Sequence, residues 1–354
     1  MMYAEQMATS IIERYPDPVD FPYVGWSYSQ GFLMWGFIKL YEKTKKDVYL
    51  KYVSEFYDEM IDTRGNVSGF AADSLDVTLP GAGLAWLYDK TGQTKYKLAL
   101  ETIYKMFETY PRNADGEFWH GKALSHQVWV DGLFMGGLFL LKYGQYGDDQ
   151  DKCYSEVIQQ LINGSRNLQK GDTGLLYHGY CEDGSAEWSS IGGTSSDVWS
   201  EGLGWYALIL AETLQTIPDS MSGMSAIKAQ FAKLVTALAK SQDEVSGMWY
   251  DIVDKPGITD NWLDSSGTAM FISAIHDGHD FLTEQSVVPD IKRAWRSLLA
   301  RAYLSADGLM NLMNACDGVP VQRNYEAYVH FPRTINAKEA IVAFILASLE
   351  MENK

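Results

Sequence analysis

The feature that most restricts the fold is a repeat. Leu40-Tyr41-Glu42-Lys43-Thr44 followed by Tyr49 is echoed by Leu87-Tyr88-Asp89-Lys90-Thr91 followed by Tyr96, with both parts 47 positions apart, 40 to 87 and 49 to 96. Each copy ends one apolar-periodic segment, turns through a polar loop and starts another, so the repeating unit is a helical hairpin. Segments with helical spacing recur about twelve times, near residues 2–14, 27–43, 47–62, 74–91, 94–110, 127–146, 150–168, 197–216, 223–242, 265–278, 287–303 and 335–351. Strand-like alternation is confined to short pieces such as Met248 to Val253 and Tyr325 to His330.

Six hairpins of about 50 to 60 residues each would use the whole chain. The first helices of several pairs, such as Phe32 to Leu40 and Leu133 to Leu141, are apolar nearly all round. An inner ring buried by an outer ring explains that better than an open solenoid. The expected architecture is all-α, a single (α/α)6 barrel over residues 1–354. No Pro-, Ser- or Gly-rich linker divides the chain.

A formal charge of −17 argues against nucleic acid and against an anionic membrane surface as partners. The cysteines Cys153, Cys181 and Cys316 are far apart and odd in number, which suggests neither a disulfide framework nor a zinc site. No charged and apolar leader is visible, nor a run of 18 or more apolar residues. A cytoplasmic protein is expected. Eleven Trp and 22 Tyr are more rings than a core requires, and such rings often line carbohydrate sites, although helix packing accounts for most of them.

In a barrel of this kind, residues before or at the starts of inner helices face a common pocket. Trp26, Tyr28, Asp73, Asp76, His120, His126, Asp131, His178, Trp199, Glu201, Trp205, Asp264, Ser265 and Ser266 all collect at such places. Asp131 is the first catalytic candidate. It lies in HGKALSHQVWVDGLFMGG, where its helical neighbours Gln127, Val128, Phe134 and Met135 offer no charge to neutralise it. Proteins prepare a carboxyl to exchange protons near neutral pH by such isolation; an N-terminal capping role is the plainer alternative. Asp76 is the second carboxylate, with Asp73 and Ser74 competing to cap the same helix. Together Asp76 and Asp131 would form an acid and base pair for sugar chemistry. His120, His126 and His178 lack metal-ligand spacing, so no metal and no cofactor is expected. Glycine-rich pieces such as Gly202-Leu203-Gly204 do not follow a strand, and no Gly-x-Ser-x-Gly elbow or P-loop is present.

With these motifs in hand, the chain resembles the unsaturated glycuronyl hydrolases, in particular the unsaturated rhamnogalacturonyl hydrolases of glycoside hydrolase family 105, with family 88 further off. The resemblance spans nearly the whole chain. It rests on WSYSQG (Trp26 to Gly31), DVTLPGAGLAWLYDKTG (Asp76 to Gly92), and the stretch from His120 through HQVWVDGLFM. It continues with LLYHGYCEDG (Leu175 to Gly184), DVWSEGLGWYAL (Asp197 to Leu208), DSSGTAMF (Asp264 to Phe271) and the helix after Arg333.

The resemblance implies an (α/α)6 fold and a metal-free reaction on a short, pectin-derived oligosaccharide whose terminal uronic acid carries a C4=C5 double bond. Asp131 would act as general acid and base, Asp76 as a second essential carboxylate. His120, His178, Trp199 and Trp205 would bind the sugar, with Trp26 and Tyr28 as pocket walls. The family commonly shows W-A-R-G where this chain has Trp199-Ser200-Glu201-Gly202. Exchange of a guanidinium for Glu201 should alter what is bound, with Arg333, Arg323 or Lys122 as substitutes. Another glycosidase or a sugar epimerase on the same barrel, or a non-catalytic carbohydrate-binding descendant, are the alternative readings. Oligomeric state is not legible.

Overall fold

A computed structural model describes residues 2–147 and 149–352, and both copies of the repeat close a helix in the same way. Thr44 Oγ1 donates to Leu40 O and Thr91 Oγ1 to Leu87 O, each at 2.8 Å. Lys45 and Gly92 follow in the left-handed region, at φ 55° and 64°, which stops the helical ladder. Tyr49 and Tyr96 are then buried on the next helices.

In chain order the helices are α1 (Tyr3–Arg14), α2 (Tyr28–Thr44), α3 (Asp47–Met60), α4 (Pro80–Thr91), α5 (Thr94–Thr109), α6 (Val130–Tyr146), α7 (Gln150–Leu168), α8 (Ser200–Thr216), α9 (Met224–Ser241), α10 (Ser265–Asp277), α11 (Ile291–Leu299), the short α12 (Tyr325–Val329) and α13 (Lys338–Met351). Helices α2, α4, α6, α8, α10 and α13 each pack on the next, and α13 returns against α2, so the inner ring is closed. Behind them, α3, α5, α7, α9 and α11 each back the inner helix they follow. Helix α1 backs α13, so the first and last helices form the sixth hairpin. The fold is the expected (α/α)6 barrel. The apolar-all-round inner helices are buried nearly throughout, as in α8 from Ser200 to Leu214, whereas α7 and α11 bury one stripe.

Among the described residues four two-stranded antiparallel pairs decorate the ring: β1 (Gln127–Trp129) with β2 (Gly179–Cys181), β3 (Trp249–Tyr250) with β4 (Leu263–Asp264), β5 (Ala302–Leu304) with β6 (Met310–Leu312), and β7 (Ala315–Cys316) with β8 (Arg333–Thr334). They correct several expectations. The segment 74–91 divides into a 3-10 turn, Asp76–Thr78, and α4; 127–146 begins as β1; 287–303 shortens to α11 because the chain turns into β5. Of Met248 to Val253 only β3 is strand. Tyr325 to His330 holds α12, not a strand, because Asn324 Oδ1 caps it by accepting from Ala327 N at 3.0 Å. No helix among the described residues is long and apolar enough to cross a membrane.

One glycine sets the spacing of the site. A Cβ on Gly267 would come within 2.7 Å of the Ser200 carbonyl carbon and oxygen. Its absence lets the first turns of α8 and α10 touch, which brings Glu201 beside Asp264 and Ser266.

Candidate active site

The N-terminal ends of the inner helices converge on a cavity of about 290 Å³ lined by Tyr23, Tyr28, Asp76, His120, Trp129, Asp131, Met135, Trp199, Glu201, Trp205 and the loop Gly318 to Pro320. Acids stand at nearly every helix start: Asp76 ahead of α4, Asp131 on α6, Glu201 on α8, Asp264 capping α10 and Glu339 on α13. The positive end of a helix dipole stabilises an acid there by about 0.3–1 kcal/mol when exposed, and more when partly buried.

Asp131 is placed by strand pairing. Trp129 lies opposite Gly179 in the β1/β2 register, and Val130 N donates to His178 O at 2.9 Å. The pairing carries the His178 ring under the first turn of α6. His178 Nε2 stands 3.1 Å from Asp131 Oδ2, off the line of a hydrogen bond, and neither atom has another protein partner. The other ring nitrogen, Nδ1, lies 2.8 Å from the Tyr328 hydroxyl on α12. The His178 side chain is fully buried, and that of Asp131 is 13% exposed toward the cavity. The local sequence around Asp131 shows no cationic neighbour; the tertiary fold supplies a histidine from 47 positions downstream.

Asp76 is freed from capping. Ser74 Oγ accepts from Asp76 N at 3.1 Å, so the serine caps the turn while the carboxyl lines the cavity. Leu75 N donates to His120 O at 2.9 Å, and His120 Nε2 lies 3.5 Å from Asp76 Oδ1. Burial disfavours charge on the His120 ring, but the carboxylates of Asp76 and Asp131 outweigh it and raise the ring's pKa above its ordinary value. Trp129 stacks flat on His120, centroids 4.5 Å apart at 8°, and meets His178 edge-on at 5.8 Å. Two carboxyls, two histidines and an indole thus form one continuous cluster.

The far wall is aromatic and acidic. Trp199 lies 4.6 Å from the His178 ring, and the buried Asp251 carboxyl stands near its indole. Burial, then the charge of Asp264, pushes the Asp251 carboxyl well above the usual range. Trp205 packs on Phe32 and Phe134 and shows its remaining face to the cavity. Glu339 Oε1 accepts from the Tyr28 hydroxyl at 2.6 Å and from Lys338 Nζ at 2.8 Å.

This arrangement stands on a chain whose residues 3–354 match the family described as Glycosyl Hydrolase Family 88. The chain belongs to that family. A family 105 glycoside hydrolase from C. acetobutylicum ATCC 824 is 30% identical, with both chains covered in full and a TM-score of 0.91, which places this family 88 chain with the family 105 enzymes. It is 26% identical over 341 residues, 94% of this chain and 91% of the other, to the unsaturated rhamnogalacturonyl hydrolase YesR of Bacillus subtilis. The unsaturated glucuronyl hydrolase of Bacillus sp. GL1 shares the fold at 15% identity, with a TM-score of 0.73 and coverage of 99% and 95%.

Within this family 88 site, three expected residues lie off the cavity lining, and one of them, His178, is buried behind Asp131 and does not reach the sugar's space. Trp26 is not a pocket wall: its indole donates to Val77 O at 2.8 Å and stacks on Phe56, so it holds the Asp76 turn from behind. Arg333 is not at the cavity either; it is exposed on β8 with its guanidinium 5.2 Å from the Trp262 ring. Arg323 and Lys122, the other possible replacements for the family's Arg, are also exposed and away from the lining. His126 lies outside the cavity lining, with Nδ1 3.2 Å from Glu182 Oε2. Asp264 caps α10, accepting from Gly267 N at 2.7 Å. Tyr23, Trp129, Met135 and Gly318 to Pro320 are wall residues that the sequence did not assign to the site; Trp129 and Met135, both inside the Asp131 motif, carried a signal. The described side chains grouped to suit an ion, His276, Asp277 and Glu350, lie at the far end of α10, where Lys39 also reaches.

Proposed function

We propose that the chain removes a 4,5-unsaturated uronic acid from the non-reducing end of a short rhamnogalacturonan-derived oligosaccharide, such as a disaccharide ending in rhamnose. The observation that carries this is the Asp131 carboxyl, held against buried His178 in a cavity that Asp76 also lines, on a family 88 chain similar to YesR. The cavity is at the small end of the range for ligand sites, about 300–1,000 Å³, which suits one terminal sugar.

The residues divide the work as follows. The Asp131 carboxyl gives its proton to C4 of the vinyl ether, leaving a cation shared by C5 and the ring oxygen. Water adds at C5 as the Asp131 carboxylate takes one of its protons. The hemiketal opens by breaking the C5 to ring-oxygen bond, and the hemiacetal left at C1 collapses. One water is consumed, and an open-chain keto acid and the second sugar leave. Asp76, with His120 against it, stabilises the positive charge developing near C5 and positions the water. Trp129, Trp199 and Trp205 supply ring faces for the sugar. His178, behind Asp131, fixes the orientation of the acid.

Reaction in deuterated water tests this chemistry. Addition through C4 puts one deuterium at C4 of the released keto acid, read by NMR or mass. The enzymatic addition labels one face of C4, and the uronate absorbance falls in step with release of the second sugar. Ordinary glycosidic cleavage frees that sugar with the double bond intact and labels C4 on both faces only as the freed enol ketonises, and that result would overturn the proposal. The three cysteines stand as buried free thiols, which supports a reducing, cytoplasmic setting.

A further inference from the structure

Three acids, Asp76, Asp131 and Glu201, line the cavity, and no Lys or Arg does so among the described residues. The nearest buried cation is already engaged. Lys338 Nζ holds Asp317 Oδ1 at 2.9 Å and Glu339 Oε1 at 2.8 Å, and lies 3.8 Å from the Tyr23 ring centroid. Glu339 spends its Oε1 on that lysine and on the Tyr28 hydroxyl. Glu201 is 3% exposed, and its Oε2 has no hydrogen-bond partner among the described residues. An ionised carboxylate buried with an unpaired oxygen is costly, and such a group takes up a proton instead.

The surroundings of Glu201 act in the same direction. Burial is the largest influence, followed by the charges of Glu339 from α13 and Asp264 from α10; the Ser266 hydroxyl and Lys338 oppose them. The balance holds its carboxyl well above the usual range. Tyr28 from α2 and Cys316 from β7 also face it, both as neutral groups whose own protons are held more tightly by burial and then by neighbouring acids.

We propose that Glu201 is a specificity-determining hydrogen-bond donor: as a neutral acid in the cavity wall, it donates to an acceptor oxygen of the terminal uronyl residue, its C5 carboxylate or a ring hydroxyl. The assignment rests on the uronyl-hydrolase reading above. It explains how an anionic sugar is taken into a cavity walled by acids without a lysine or arginine among its described lining residues. Binding then depends on a proton that the protein carries, and weakens once that proton is lost.

The test is a pH series of KM and kcat, followed by the absorbance of the unsaturated uronate, with parallel binding titrations read from the fluorescence of the tryptophans in the wall. In the unmodified protein, KM and the dissociation constant are expected to rise about tenfold per pH unit above the Glu201 titration, as one linked proton requires, with kcat less affected. Glu201→Gln keeps a donor that cannot be lost and should flatten the rise; Glu339→Gln removes a like charge and should move its onset to lower pH. A methyl-esterified substrate that shows a smaller rise assigns the acceptor to the carboxylate, and one whose rise is unchanged assigns a hydroxyl. A rise that persists in Glu201→Gln, or affinity independent of pH in the unmodified protein, would overturn the inference. Absence of turnover with pH-dependent binding intact would instead count against the uronyl-hydrolase reading.

Discussion

His178 Nε2 lies 3.1 Å from Asp131 Oδ2, while its Nδ1 lies 2.8 Å from the Tyr328 hydroxyl. The fully buried imidazole therefore joins the candidate acid on α6 to a tyrosine on α12, 150 residues from it in sequence. The proposed role of His178 is to orient Asp131, since it touches the carboxyl and lies outside the cavity lining. His178→Ala is expected to lower kcat by about 10²–10⁴-fold, the range for a displaced acid or base, with a much smaller change in KM. Tyr328→Phe should cost about 10-fold or somewhat more, as loss of a supporting hydrogen bond does. Equal losses in kcat and in binding for both variants would mean that the histidine merely supports the fold.

Asp76 and His120 give a second, independent handle. The two carboxylates raise the His120 pKa over the opposing effect of burial. NMR titration of the His120 ring should place it above the ordinary value of about 6.5, and Asp76→Asn should move it down. The sign for stability follows. A raised histidine contributes stability that is fully present below its unfolded pKa and is lost as pH rises through the folded one. The melting difference between the unmodified protein and Asp76→Asn should therefore shrink as pH rises through that range. A ring whose titration ignores Asp76→Asn would separate the two residues.

At the opposite end of the inner ring, Glu212 on α8 bridges Lys39 on α2, at 2.5 Å, and Lys142 on α6, at 2.9 Å. Burial opposes its charge, yet the two lysines hold its pKa down to about 2. Glu212→Ala strands Lys142, whose side chain is 5% exposed, and is expected to cost about 3–5 kcal/mol while KM stays unchanged. Because the folded value is depressed, this stability is present above the unfolded value, about 4.3, and disappears as pH falls through about 2. Thermal melts should show the gap closing over that interval. A gap that persists at the lowest pH would deny the ion pairs their part.

What could be read in advance followed from local pattern. The repeat ending at Thr44 and Thr91 reports its own hairpins, because the same threonine-to-carbonyl bond recurs in each. Asp131 was visible as an acid in an apolar run. Its partner was not, because His178 reaches it only through the register of two three-residue strands. Trp26 was misplaced for a related reason: a tryptophan before an inner helix can face the pocket or the hairpin behind it, and the Val77 carbonyl decides between them. Tyr325 to His330 alternates like a strand, but the Asn324 cap and the burial of Tyr328 and Val329 make it helical. Lys338 and Glu339 fell inside a segment read only as the final helix, and their place in the site depends on ring closure onto α2.

The central claim is that Asp131 drives hydration of an unsaturated uronyl residue. The most direct measurement follows the absorbance of the conjugated uronate while the protein is mixed with lyase-generated disaccharides from rhamnogalacturonan, with those from glycosaminoglycans in parallel. The account predicts steady decay on the rhamnogalacturonan product. In Asp131→Asn it predicts decay slowed by about 10²–10⁴-fold with ligand-induced tryptophan quenching retained. Undiminished decay in Asp131→Asn, or no decay on any of these substrates where a control hydrolase consumes them, would contradict it.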